Sequence, residues 1–296
     1  MVYLPDHHRP AALPDELARE AADLAESTAA RLRLEIRELD TVPAQHEAAG
    51  LFCRIWHADS PDQLINRATL RAMQHAGNYV AGAYRDGVLV AAAVAFFGVG
   101  HLHSHIAGVD PAAQSGGIGY ALKQHQRAWC LARGITEICW TFDPLVRRNA
   151  YVNLHKLGGR AAAYLPDFYG EMNDGINTGE ATDRLYLSWD LLSARARAAA
   201  RGDVRDVDLA ALRAVGGAVL LDRTAAQEPR PAAVPLDGRP LLVAVPDDVV
   251  ALRERDAAAA LAWRRPVREA LCAALDAGYR ITGMSRDGWY TLEVAR

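Results

Sequence analysis

The sequence predicts an α/β chain organised on a mixed (α+β) sheet, and three observations predict it. Short runs of alternating or Val/Ala-rich apolar residues are interleaved with segments of helical period. Asp86-Gly87 joins two such apolar runs, the signature of a tight β-hairpin. A glycine-rich turn, Gln114-Ser115-Gly116-Gly117-Ile118-Gly119, stands between an apolar run ending at Val109 and a helical segment. A turn of that kind, opening a helix straight after a strand, directs free backbone N–H groups and a helix dipole at one spot and so makes an anion site.

In chain order, Leu13 to Arg31 is Ala-rich with a Pro14-Asp15-Glu16 start, which predicts a helix with acids in its first turn. Leu34 to Leu39 alternates apolar and charged residues, a half-buried strand. Ala44 to His57 and Leu64 to His75 place apolar residues at helical spacing, and Gly77-Asn78 ends the second. Tyr79 to Tyr84 and Val88 to Phe97 are strands, as is His101 to Val109. The helix after the turn extends to about Arg133. It presents Ile118, Leu122, Trp129 and Ala132 on one stripe with His125, while Lys123 and Arg127 lie on a neighbouring face, solvated or within reach of a phosphate. A strand from Ile135 to Phe142 and a helix from Arg147 follow. Tyr164 to Met172 and Arg184 to Leu191 read as strands flanking a polar loop with Asn173, Asp174 and Asn177.

Ser193 to Arg201, SARARAAAR, reads as a solvated helix or linker. Beyond it, Gly217 to Leu221 and Leu241 to Val245 predict strands around an extended, proline-rich loop, Gln227 to Pro240. Asp247 to Gly278 predicts one or two helices. A closing hairpin, Arg280 to Gly283 with Trp289 to Val294, surrounds Asp287-Gly288. The expected organisation is a helical arm over 1–33, a main domain over 34–191, and a linker with a C-terminal α/β extension over 192–296.

With 33 basic and 36 acidic residues, a net charge of −3 provides no basic surplus for nucleic acid or an anionic membrane. Cys53, Cys130, Cys139 and Cys272 have neither metal-ligand nor disulfide-framework spacing, which points to the reducing cytoplasm. The opening MVYLPDHHRP lacks the plan of a signal peptide, and no apolar run reaches the length of a membrane span.

The element order to Leu191, the Gln114-x-x-Gly117-x-Gly119 turn, the preceding Gly108-Val109-Asp110-Pro111, the continuation Gly119-Tyr120-Ala121-Leu122 and the run Asn149 to Gly158 resemble the GNAT superfamily of acyl-CoA-dependent N-acyltransferases. The runs LHSHIAGV, GYALKQHQRAW, WTFDPLVRRNAYVNLHKLG, DFYGEMNDGIN and DRLYLSWDL are similar to a narrower branch that includes succinyl-CoA-dependent amino acid N-succinyltransferases with a C-terminal extension. The resemblance implies a GNAT-like fold with splayed central parallel strands. It also implies an acyl-CoA co-substrate, succinyl-CoA or acetyl-CoA, and a small, amino-acid-like amine as acceptor, with no metal required.

On that resemblance the coenzyme A pyrophosphate would be held by Gln114, Ser115, Gly116, Gly117, Ile118, Gly119 and Tyr120. The pantetheine arm would lie as an extra strand between 101–109 and 135–142, meeting Ala107, Val109 and Asn149. A backbone N–H near Val109, freed by a bulge at Gly108, would polarise the thioester carbonyl. The family's carboxylate base falls at His105, with His103 second and His101 on the same strand face, and an imidazole suits that role near neutral pH. Three histidines on one strand face can also bind zinc or serve only as packing residues. The family's helix tyrosine falls at Leu154, a departure that leaves Tyr151 or Tyr169 as substitute acid, or none. Cys139 is a candidate for an acyl-cysteine or, more commonly, a buried core residue. Asp143, Arg147 and Tyr169 are candidates for the acceptor side, and Arg147 and Asp143 are equally readable as surface or turn residues. Three readings follow: an N-acyltransferase on a small amine, an acyltransferase on a specialised-metabolite intermediate, and a non-catalytic acyl-CoA-binding protein. The tail has three open roles: to extend the sheet, to cover the acceptor side, or to form a homodimer contact.

Overall fold

The computed structural model describes residues 15–114, 116–170 and 181–294. The architecture is a mixed α/β fold of the expected class, with two compact units. Unit 1 comprises Met1–Cys139 with Asp174–Ile176 and Asp190–Ser193; unit 2 comprises Trp140–Asn173, Asn177–Trp189 and Ala194–Arg296.

Unit 1 contains helices α1 (Asp15–Arg31), α2 (Val42–Trp56), α3 (Arg67–His75) and α4 (Ile118–Leu131). Its strands are β1 (Glu35–Glu38), β2 (Val80–Arg85), β3 (Val88–Phe97) and β4 (Leu102–Val109), an antiparallel series in the order β1-β2-β3-β4. Strand β5 (Glu137–Phe142) lies parallel to β4, pairing Leu102 with Ile138 and His103 with Cys139. Among the described residues β4 has no β5 partner beyond His103.

Local chemistry sets the helix starts. The Thr41 hydroxyl accepts from the Ala44 N–H with Pro43 in the first turn of α2, and the Asn66 side chain caps α3 by accepting from the Thr69 N–H at 2.8 Å. Leu51 and Phe52 of α2 and Leu70 of α3 pack with Val80, Leu89 and Val94 of the sheet into a closed apolar core. Helix α1 is more than an arm, for Ala21, Ala25 and Thr28 are buried and the helix packs along α4. The stripe predicted on α4 holds for Ile118, Leu122 and Trp129, which are buried, whereas Ala132 is exposed.

Unit 2 receives the end of β5, followed by α5 (Arg147–Tyr151), which widens into a π-helical turn over Val152–Lys156. The strand order continues β5-β7-β6, with β6 at Arg160–Leu165 and β7 at Arg184–Asp190 running antiparallel. Strand β6 starts earlier than the predicted Tyr164, because Gly158 (φ 73°) and Gly159 turn the chain directly out of the π segment. The predicted loop residues Asn173, Asp174 and Asn177 lie outside the described residues.

The tail strands do not extend this sheet. They form a second one, ordered β11-β12-β10-β8-β9, from β8 (Ala218–Arg223), β9 (Pro229–Pro231), β10 (Leu241–Ala244), β11 (Tyr279–Met284) and β12 (Trp289–Val294). Strand β10 is parallel to β8 and antiparallel to β12, and all four of its residues are fully buried. Buried Val267, Leu271 and Ala274 lie on α10 (Arg264–Asp276), which packs on this sheet; the other tail helices are α6 (Ala194–Arg201), α7 (Leu209–Ala214), α8 (Val249–Arg255) and α9 (Ala257–Leu261). Helix α6 corrects the expectation of a solvated segment: Ala196, Ala199 and Ala200 are buried, and Arg195 and Arg197 are half-buried, so most of the helix packs. Among the described residues no helix is long and apolar enough to cross a membrane.

Candidate functional site

The edge of β4 carries the geometry that matters in unit 1. Its pairing with β3 slips between Val94 and Ala95: Val94 faces Ile106, Ala95 faces Ser104, and His105 is the extra residue of a β-bulge. The bulge is therefore at His105 and not at Gly108. Gly108 pairs regularly with Ala92, and it is glycine because a Cβ there would come within 2.8 Å of the Ile55 and Trp56 side chains of α2. Downstream of the bulge the Asp110 N–H donates to the Val90 carbonyl at 2.8 Å. In an antiparallel ladder alternate residues turn their N–H groups to the partner, so those of Ala107 and Val109 point away from β3. The Val109 carbonyl accepts weakly from Gln114 Nε2 at 3.4 Å.

The turn between β4 and α4 is open where it needs to be. Gly117 precedes α4 in the left-handed region (φ 83°) with no side-chain cap, and Gly116, Gly117 and Gly119 are exposed while Ile118 is buried as an anchor. Ser115 lies outside the described residues. Tyr120 sits half-buried on the first turn of α4, and burial raises its hydroxyl pKa. The first-turn N–H groups of a helix have no carbonyl one turn back, so the turn offers a backbone cradle of the size and polarity of a phosphate group.

The cations expected near this turn go elsewhere. Lys123 is half-buried with its ammonium enclosed, donating to Ser104 Oγ at 2.8 Å and Gln126 Oε1 at 3.0 Å, and burial pushes its pKa down to about 7. Arg127 is buried, not solvated. Arg85, at the end of β2, stands near the turn instead: its Nη2 is 3.8 Å from where a Gly116 Cβ would be and donates to the Leu32 carbonyl at 3.3 Å. Sequence spacing gave no sign of Arg85, because only the β2–β3 hairpin brings it beside a turn 30 residues later.

The three histidines do gather. His103 and His105 both pack against Phe96, at ring separations of 4.9 and 5.7 Å, and His101 is 6.4 Å from His103. His101 Nδ1 is fixed to the Val99 carbonyl at 3.0 Å. Burial lowers the pKa of both His103 and His105; His103 is pushed to about 4 because His105, His101 and Lys123 add like charge to the burial. Both imidazoles are thus neutral, and able to accept a proton, at neutral pH. His125 is committed elsewhere, with Nδ1 2.9 Å from the Tyr79 hydroxyl. Among the described residues no group of three His, Cys, Asp or Glu side chains is placed to hold a metal ion.

The remaining candidates belong to unit 2, and most are engaged. Asp143 accepts two hydrogen bonds from Arg264, at 2.6 and 2.8 Å, and the pairing holds its carboxyl below the usual range against the opposing effect of burial. Arg147 pairs with Asp247 at 3.4 Å. The Tyr169 hydroxyl is 3.1 Å from Thr141 Oγ1, with Arg184 over its ring. Tyr151 donates to Asp206 at 2.7 Å, stacks on His155, and has its pKa raised by burial and by that carboxylate. Asn149 is exposed within α5. Asn153 is buried, its carbonyl accepting from the Gly159 N–H at 3.0 Å. Leu154 is 1% exposed. Cys139 is buried in unit 1.

Residues 46–158 match the model of the acetyltransferase (GNAT) family. No curated protein matches the chain. Solved structures similar to it include the ribosomal-protein-S18-alanine N-acetyltransferase of Escherichia coli, at 18% identity and a TM-score of 0.45 over 54% of this chain and 96% of that one. Another is the aminoglycoside 6'-N-acetyltransferase of Enterococcus faecium, at 15% identity and a TM-score of 0.41 over 54% and 98%. A third is a phosphinothricin acetyltransferase of Sinorhizobium meliloti in complex with acetyl-CoA, at 14% identity and a TM-score of 0.43 over 53% and 87%.

Proposed function

We propose that the chain is an acyl-CoA-dependent N-acyltransferase that moves a succinyl or acetyl group from coenzyme A to the amine of a small, amino-acid-like acceptor by direct transfer, with catalysis in 34–191. The observation that carries this reading is the conjunction, within one matched segment, of the His105 bulge, the outward N–H groups of Ala107 and Val109, and the Gly117 turn that opens α4. The backbone of Gly116 to Tyr120, with Gln114, receives the pyrophosphate without a basic patch. Ala107 and Val109 pair with the pantetheine amides, and the Val109 N–H donates to the oxygen that becomes negative in the tetrahedral intermediate.

His105 is the preferred base. It presents more surface than His103, and partial desolvation is the one cause that lowers its pKa, whereas His103 is held near 4 by burial and by charged neighbours as well. It accepts the proton as the amine nitrogen bonds to the thioester carbon; the C–S bond then breaks and the sulfur leaves with the electron pair. A thiol is acidic enough to leave as thiolate near neutral pH. Tyr151 on α5 directs its hydroxyl proton to Asp206, so the thiolate leaves without a dedicated acid.

Incubation of the full chain with acetyl-CoA or succinyl-CoA and a panel of amino acids and small amines, read by mass spectrometry, tests the proposal. Amide product with stoichiometric free coenzyme A supports it; no product from any pair defeats it. Leu154, closed off at the place of the family's tyrosine, favours one second reading, a protein that binds acyl-CoA without transferring the acyl group. Tight coenzyme A binding with no turnover is the result that would select it.

A further inference from the structure

Unit 2 carries an open cleft of about 320 Å³ whose charges the acyl-transfer reading does not use. Its walls include Leu154 and His155 of the π-helical turn, Arg195 of α6, Asp203 and Arg205 of the segment after α6, and Thr282 of β11. Arg195 is the central group. Its Nη1 donates to the Thr282 carbonyl at 2.8 Å and its Nη2 to the Leu154 carbonyl at 2.6 Å, so α6 is bolted to the π turn and to β11 by a guanidinium that has no carboxylate partner among the described residues. A guanidinium carries five N–H donors, and these two bonds leave three for another acceptor.

The surrounding charge is unbalanced in the same sense. Arg205 lines the cleft, is exposed, and has no ion-pair partner among the described residues. Arg160 adds to the burial that lowers the Arg195 pKa, and Lys156 and Arg286 act on His155 with the same sign. The two acids here are already occupied: Asp203 faces Arg201 at 3.7 Å, and Asp206 takes Tyr151, His155 and Arg286, at 2.7, 3.1 and 3.6 Å. Withdrawing a guanidinium from water without a counter-charge is costly, and a planar fork of donors is well matched to a carboxylate or a phosphate. The volume lies at the lower end of small-molecule sites, room for a small metabolite rather than a coenzyme.

We infer that this cleft is a binding site for a small anionic metabolite, whose carboxylate or phosphate group is held by Arg195 and Arg205. The test uses the full chain and needs no acyl transfer, so it stands apart from the proposed activity. Thermal unfolding and calorimetric titration are run with inorganic phosphate and with malate, against sodium chloride at equal ionic strength. At least one anion is expected to give saturable stabilisation that chloride does not. Arg205→Gln, at an exposed position with no ion-pair partner among the described residues, leaves the fold intact and is expected to weaken that binding about tenfold, with Arg205→Lys in between. Binding of phosphate alone or of malate alone supports the site and selects the chemical class. No saturable response to either anion, or a response that Arg205→Gln leaves unchanged, overturns the inference.

Discussion

The β4 edge and its turn in unit 1 and the α5 region in unit 2 both hold polar residues that sequence reasoning nominated for chemistry, yet they use them in opposite ways. In unit 2 the nominated groups are tied to protein partners: Asp143 to Arg264, Arg147 to Asp247, Tyr151 to Asp206. In unit 1, His103 and His105 have ring contacts but no hydrogen-bond or ion-pair partner among the described residues, and the exposed glycines present bare backbone. A side chain whose bonding capacity is used internally holds the fold together, whereas one held in place by packing with its polar atoms unspent is equipped to meet a substrate. The difference separates scaffold from site more sharply than residue type does.

The largest expected effect falls on the scaffold side. Asp143→Ala removes the carboxylate that accepts twice from the Arg264 side chain, itself 5% exposed, and is expected to cost about 3–5 kcal/mol in chemical denaturation. Replacing both partners by apolar residues, Asp143→Leu with Arg264→Met, is expected to restore most of that loss, since the desolvation of both charges is then avoided. A small effect of Asp143→Ala alone would show that the pair is not structural.

On the site side, His105→Ala is expected to lower kcat about 10²–10⁴-fold with little change in stability, the usual contribution of a positioned proton acceptor. His103→Ala is expected to do less, and equal losses would contradict the preference for His105. Gly117→Ala forces a Cβ into the left-handed region at φ 83° and is expected to destabilise by about 1–2 kcal/mol, while raising the KM for acyl-CoA more than it lowers kcat. The smallest effect is one of pH. Burial holds Lys123 near 7 in the folded chain against 10.5 in the ordinary case, so between those values the unfolded chain binds more protons and stability rises with pH. Lys123→Met is expected to flatten the rise between pH 7 and 9 in denaturation curves, and an unchanged slope would place the ammonium in solvent.

What the sequence could disclose followed from range. Val88–Phe97 was legible to the residue because a ten-residue apolar run after Asp86-Gly87 admits little else. The Gly117 turn was legible because glycines leave a local mark. The bulge at His105 was not: HLHSHIAGV alternates as a regular strand would, and the slip is imposed by β3, through Val94 and Ala95. Nor was the inward path of Lys123, decided by Ser104 on a different element. The Asp143–Arg264 pair joins positions 121 residues apart, beyond any local pattern. The alanines of α6 were misread as solvated because an Ala/Arg run has the same composition whether its small face is covered or not.

The central claim, that the β4 edge and its turn hold an acyl-CoA for direct transfer to an amine, is tested most directly by one measurement: single-turnover mass spectrometry of the full chain with acetyl-CoA or succinyl-CoA and a panel of small amines, wild type beside His105→Ala. The account predicts amide product and free coenzyme A in equal amounts from the wild type, and a product yield cut by at least a hundredfold in the variant. A wild type that forms no amide and binds no coenzyme A, or a variant that turns over like the wild type, would contradict it.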